Sequence, residues 1–241
     1  MNLGIFLELV PDTDVAWWQV LASGLGWTLG TAFFAWIMAF VLRSIVGVVR
    51  TTDSRWMVRV GNAYVELFRN IPLIVQFFVW YFVVPNVIPA VKAWVISLDP
   101  TEHQFVTSIV CLGLFTSARI AEQVRSGIQS LSHGQRYAGY AIGLTQPQTY
   151  RYVLLPMAYR IIIPPLTSEV MNLIKNTSVA FSIGLVELFF RTREMAEMTF
   201  RYFDAFAAAT LIYMVISMGA NRVMAVIERR VAVPGYITGG K

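Results

Sequence analysis

The sequence predicts an all-α integral membrane protein with about five transmembrane helices. Two observations carry this. Of 241 residues, 56% are hydrophobic and only 14% are charged, whereas soluble domains carry about 25% charged residues. Long charge-free runs also recur along the chain, and a bilayer core of about 30 Å needs roughly 20 apolar helical residues to cross. The length suits one membrane domain over 1–241, with no room for a second large soluble one.

The first charge-free run is Val20–Leu42, predicting a span over about 20–49. The first basic residue of the sequence is Arg43, whereas a signal peptide opens on a basic stretch, so this run is expected to stay in the mature protein. Asn70–Val91 is the second, with Pro72, Pro85 and Pro89, and predicts a span over about 57–84. Gln104–Ala118 is too short alone and predicts a span continued through Arg119 to about 104–125. Leu154–Val186 is interrupted by Arg160, Glu169 and Lys175 and predicts an irregular fourth span over about 154–175. Ala205–Asn221 predicts the last, over about 204–228.

Orientation follows the placement of Lys and Arg, which favour the cytoplasmic side. The segment before the first span holds Glu8, Asp12 and Asp14 but no basic residue. Arg50, Arg55 and Arg59 follow the first span, Lys92 the second, and Arg125, Arg136 and Arg151 the third. The end carries Arg222, Arg229, Arg230 and Lys241. An outer N-terminus and a cytoplasmic C-terminus fit this order. Arg191, Arg193 and Arg201, mixed with Glu187, Glu194, Glu197 and Asp204, then form an external gate segment over about 177–203.

Several chemistries are excluded. The net charge of +5 reflects basic loops, with no compact basic run of the kind that binds nucleic acid. The lone Cys111 allows no intrachain disulfide and reads as a small buried hydrophobe. His103 and His133 lack metal-ligand spacing, and no phosphate-binding GxxxxGK[ST], GxSxG or HExxH motif occurs, so neither metal, cofactor nor catalytic site is expected.

The stretch GLTQPQTYRYVLLP (Gly143–Pro156) is a polar interlude in the predicted cytoplasmic loop, 130–153. Gly143, the tenth residue after it, Val153, and then Leu155-Pro156 resemble the signature of bacterial ABC importer permeases, Glu-Ala-Ala-x3-Gly-x9-Ile-x-Leu-Pro. Tyr137, Ala138 and Gly139 fill its first three places, so the family's Glu contact does not carry over. ELFRNIPLIVQFF (Glu66–Phe78) resembles the polar amino-acid permease pattern Arg-x-x-Pro-Leu-x-Val-Gln. AEQVRSGIQSLSHGQ (Ala121–Gln135) and MNLIKNTSVA (Met171–Ala180) are similar to the segments before the family's loop and gate. The resemblance runs from about Ser23 to Glu228 and looks most like glutamate/aspartate permeases.

That resemblance implies a type I importer permease fold, which imports acidic amino acids by alternating access. It implies a second homologous permease subunit (homodimer or heterodimer), two cytoplasmic ATPases, a periplasmic amino-acid-binding protein and surrounding membrane lipid. A permease for glutamine or another polar amino acid is the same-family alternative; an ATP-independent channel or membrane sensor is the alternative of another class. For ATPase coupling it points to Gln135, Tyr137, Ala138, Gly139, Gly143, Leu144, Leu155 and Pro156. A short helix over about 132–144 is expected, ended by Gly143, with a second beginning near Thr145 and tolerating Pro147 in its first turn.

Polar side chains at membrane depth are costly and mark function. Arg119, Glu122 and Gln123 stand at i, i+3 and i+4, and Glu169, Asn172 and Asn176 at i, i+3 and i+7, so each set shares a helix face. Lys175 sits roughly 120° from Glu169. Arg69 and Gln76, seven apart, flank Pro72. For an acidic amino acid, Arg119 suits a substrate carboxylate, Glu169 the ammonium, and Asn172 and Asn176 its orientation. Glu122, Lys175, Arg69 and Gln76 complete the candidate set. Alternatively Arg119 snorkels, Glu169 pairs with Lys175, and Arg69 anchors at the interface.

Overall fold

The computed structural model describes residues 3–52 and 54–231; Lys241, counted above among the C-terminal basic residues, lies outside them. The helices are α1 (Trp17–Val49), α2 (Arg55–Asn70), α3 (Leu73–Phe78), α4 (Val84–Val87), α5 (Pro89–Ile96), α6 (Pro100–Gln129), α7 (His133–Ala141), α8 (Gln146–Thr149), α9 (Leu155–Asn176), α10 (Leu188–Thr199) and α11 (Tyr202–Val231). Short 3₁₀ segments, Leu3–Leu7 and Thr177–Ile183, and π-helical turns, Val79–Val83 and Tyr150–Leu154, join them. Among the described residues the only strand-like feature is an isolated bridge, Leu9–Ala16.

Helices α1, α6 and α11 are each long and apolar enough to cross a membrane. Two broken stretches, Arg55–Asn70 with Leu73–Val87 and Gln146–Ile183 with Leu188–Thr199, qualify if each counts as one span, giving up to five.

Within the expected span over 57–84 the helix is not continuous. It breaks at Ile71–Pro72, where Pro72 is extended (φ −55°, ψ 138°). Proline lacks an N–H and disfavours a helical residue before it. The buried Gln76 donates its Nε2–H to the Ile71 carbonyl at 2.8 Å, satisfying an acceptor the break leaves open. Arg69 and Gln76, seven apart, therefore belong to different helices, α2 and α3.

The chain forms two compact units. The first comprises residues 3–38, 71–113 and 172–219. One of its apolar clusters gathers Ala35, Phe77, Cys111, Leu112, Leu173 and Ala180, so Cys111 is the buried hydrophobe its sequence setting predicts. A second gathers Ile5, Trp17, Leu21, Leu188, Met195 and Ala205. Beside it stands the fully buried Glu187, the N-cap of α10. Its carboxylate accepts the Phe189 and Phe190 N–H groups at 2.9 and 2.8 Å, the Tyr213 hydroxyl at 3.0 Å and the Thr28 hydroxyl at 3.4 Å. One side chain thus ties α1, α10 and α11 together. Glu187→Gln retains an acceptor for only part of this set and is expected to lower stability by about 1–2 kcal/mol, read as a lower melting temperature of the purified chain.

The second unit comprises residues 39–70, 114–171 and 220–231. Its interior is lined by Ala121, Val124, Ile128, Ala158 and Ile162. Small residues let helices approach closely in membranes. A Cβ added at Gly47 would lie 2.6 Å from Val124, and one at Gly127 2.6 Å from Ile162. Two polar ties lock the termini of these helices: Tyr150 donates to the Thr51 carbonyl at 2.5 Å, and Tyr159 to Ser44 at 2.7 Å.

Candidate functional site

The polar interlude and its approach fold into a compact helix–turn–helix in the second unit. Helix α7 stops at Ala141, earlier than the expected Leu144. Gly143 takes the left-handed conformation, φ +85°, which glycine adopts without a side-chain clash. Its N–H reaches the Tyr140 carbonyl at 2.9 Å, and the Leu144 N–H reaches that of Gly139 at 3.1 Å. This pair of bonds is the Schellman arrangement that closes a helix. Thr145 then caps α8: the Gln148 Oε1 accepts the Thr145 N–H at 2.9 Å and its hydroxyl at 3.0 Å. Pro147 sits in the first turn, where its missing N–H has no intrahelical acceptor to lose.

The small residues of this element do different things. Gly139 is buried and faces inward: a Cβ there would lie 2.8 Å from Thr149. Ala138 and Gly143 are exposed, and nothing of this chain lies within 4 Å of a Cβ built on Gly143. The exposed surface carries large apolar groups, Tyr137 at 65% and Ile142 at 75%. Leu144 and Leu155 are half-buried and Pro156 exposed. Gln135 is partly buried, its Oε1 without a hydrogen-bond partner among the described residues.

The polar residues of the second unit form two linked ion-pair groups along α6. Glu169, 6% exposed, receives Arg119 in a two-point contact, Nε to Oε2 at 2.9 Å and Nη2 to Oε1 at 3.2 Å. Gln123 donates to the same Oε1 at 3.3 Å. Helical spacing placed Arg119, Glu122 and Gln123 on one face of α6; the fold brings Glu169 of α9 to Arg119 and Gln123 there. Glu122 meets three arginines: Arg50 at 2.7 Å, Arg125 at 3.7 Å and Arg69 at 3.8 Å. Arg50 is in turn oriented by Asn62, which accepts its Nε–H at 2.8 Å. Four arginines thus meet two carboxylates, leaving this part of the unit with excess positive charge.

In the first unit, Asn172 and Asn176 are partly buried near the end of α9, and Lys175 is exposed without an ion pair among the described residues. His103 stacks on Tyr81, ring centres 4.3 Å apart. Among the described residues no cluster of His, Cys, Asp or Glu is arranged to hold a metal.

Sequence reasoning missed Arg50 and Arg125 as partners of Glu122. Arg125 was legible from its i+3 spacing. Arg50 was not, because 72 residues separate it from Glu122 and only packing joins them.

Residues 44–233 match the family described as binding-protein-dependent transport system inner membrane component. The chain is 46% identical over 242 residues to the glutamate/aspartate import permease protein GltJ of Escherichia coli (strain K12), covering 100% of this chain and 98% of that one. It is 35% identical over 203 residues to the probable glutamine ABC transporter permease protein GlnM of Bacillus subtilis (strain 168), covering 84% and 89%. The crystal structure of an amino acid ABC transporter with histidines superimposes with a TM-score of 0.74 at 25% identity, over 89% of this chain and 95% of that one. An inward-facing MetNI methionine ABC transporter, at 20% identity, shares the fold with a TM-score of 0.66, over 90% and 94%. With a family model covering most of its length and a close full-length relative, the chain belongs to the family of binding-protein-dependent transport system inner membrane components.

Proposed function

We propose that the chain is a permease subunit of an ATP-driven importer that moves glutamate and aspartate across the inner membrane by alternating access. The observation that carries the substrate is the 46% identity, over the whole chain, to a glutamate/aspartate import permease. The excess of arginines around Glu122 and Glu169 supports it, since guanidinium forks suit carboxylates.

In this reading five spans cross the bilayer from a periplasmic N-terminus to a cytoplasmic C-terminus. The α7–α8 element faces the cytoplasm and docks on one of two ATPase subunits, which hydrolyse ATP. A second permease subunit completes the pathway, and a periplasmic binding protein delivers the solute. Tyr137, Ala138 and Ile142 form the docking surface, with Gly143 at its end. Gly139 serves the element's internal packing against Thr149.

Arg119 takes a substrate carboxylate and Glu169 the ammonium. Arg69 and Glu122 line the route within the second unit; Gln76, Asn172, Lys175 and Asn176 line it within the first. The match to a probable glutamine permease favours glutamine as the second reading.

Uptake competition decides between them. Radiolabelled glutamate uptake by cells carrying the complete importer should be suppressed by excess aspartate and unaffected by glutamine. Suppression by glutamine and not aspartate would mean that the acidic reading is wrong.

A further inference from the structure

The second unit holds a cavity of about 470 Å³ where the end of α1 meets the turn into α7. That volume is in the range of roughly 300–1,000 Å³ typical of small-molecule sites. Its wall includes Arg50, Thr51, Gln129, Ser132, Arg136 and Leu154, with two arginines and no acidic residue.

The cationic wall is held in place. The Arg50 side chain is 5% exposed, fixed by Asn62 on Nε and by Glu122 beside Nη1. Arg136 donates Nη2–H to the Tyr150 hydroxyl at 3.4 Å, and its guanidinium carbon stands 5.8 Å from the centre of that ring. The same hydroxyl donates to the Thr51 carbonyl at 2.5 Å. Tyr150 therefore links the arginine to the opposite wall. Ser132 is the N-cap of α7, extended and without a side-chain capping bond. The positive end of the nine-residue α7 dipole thus opens on the cavity.

We propose that this cavity binds a phosphate-bearing anion. Arginine forks and a helix N-terminus both suit phosphate oxygens, and both border this one cavity; Glu122 pairs with Arg50, while Arg136 has no ion-pair partner among the described residues. The phosphate comes either from the headgroup of an anionic lipid or from a free phosphate compound. The site is independent of the transport route proposed above, and its test needs no transport.

The full-length chain is purified and placed in nanodiscs of phosphatidylcholine, with or without phosphatidylglycerol, and separately titrated with inorganic phosphate in neutral detergent. Melting temperature and lipid retained in native mass spectrometry are read. Ligand bound only by the folded state raises the melting temperature. Selective retention of phosphatidylglycerol with a raised melting temperature assigns the lipid source. A rise with inorganic phosphate alone assigns a free phosphate.

Arg136→Gln is expected to weaken either response about tenfold, as loss of a charge-assisted contact does. Ser132→Asp should weaken it as well, by setting a carboxylate at the mouth, and Asp is a favoured N-cap, so α7 is kept. Arg55→Gln, an exposed arginine at the start of α2 away from the cavity wall, should leave it unchanged. Absence of any response in the wild-type chain overturns the proposal, as does an equal loss in Arg55→Gln and Arg136→Gln.

Discussion

Gly143→Arg is expected to leave the chain folded and yet abolish its assembly with the ATPase, so that uptake falls to background. The backbone cost is bounded. Gly143 sits at φ +85°, where a side chain costs roughly 1–2 kcal/mol. The steric cost within the chain is nil, because a Cβ there meets nothing within 4 Å. Any larger effect must arise outside this chain. Gly143→Asn supplies the contrast, since Asn tolerates the left-handed conformation and adds little bulk; it should keep most ATPase binding. Gly139→Val is the opposite case. Its added atoms collide with Thr149, 2.8 Å from the first of them, so it should lower the melting temperature of the permease alone. Pull-down of the ATPase alongside melting curves separates the three. ATPase recovery from Gly143→Arg at the wild-type level would show that α7 and its turn are not the docking element.

The helices were legible where one local rule decides. The charge-free runs gave α1, α6 and α11 because nothing but lipid or protein interior accommodates them. The end of α7 was legible because Gly143 is the residue a left-handed turn selects, although the helix closes two residues before it. The break in the second run was harder to read. Pro72 marked a place where the backbone can open, but a proline alone does not say whether a helix kinks there or ends, as α2 does at Asn70. In the site, the shared face of Arg119, Glu122 and Gln123 follows from helical spacing alone. Which carboxylate each arginine meets does not, since Glu169 lies 50 residues from Arg119 in the chain. Gly139 teaches the same lesson. The resemblance placed it in the coupling set, but that packing spends its small size on Thr149 is visible only in the fold.

The Arg119–Glu169 pair should separate stability from transport. Arg119→Ala strands a carboxylate that is 6% exposed, leaving it the 3.3 Å contact from Gln123. Removing one partner from a buried acceptor costs roughly 1–3 kcal/mol, so this variant should melt below the wild type. Glu169→Gln is milder: the Arg119 side chain is 42% exposed and can turn to water, so the loss should be about 1 kcal/mol or less. Transport should not follow this order. A zwitterion inserted across the pair trades one ion pair for two, carboxylate on Arg119 and ammonium on Glu169. Both partners are then needed, and Glu169→Gln should slow glutamate uptake about tenfold or more in proteoliposomes of the complete importer. Arg119→Lys keeps the charge but loses the planar fork and should slow uptake by a similar factor. A structural pair alone would let uptake track melting temperature. Near-normal uptake by a Glu169→Gln importer would therefore remove both residues from the solute's path.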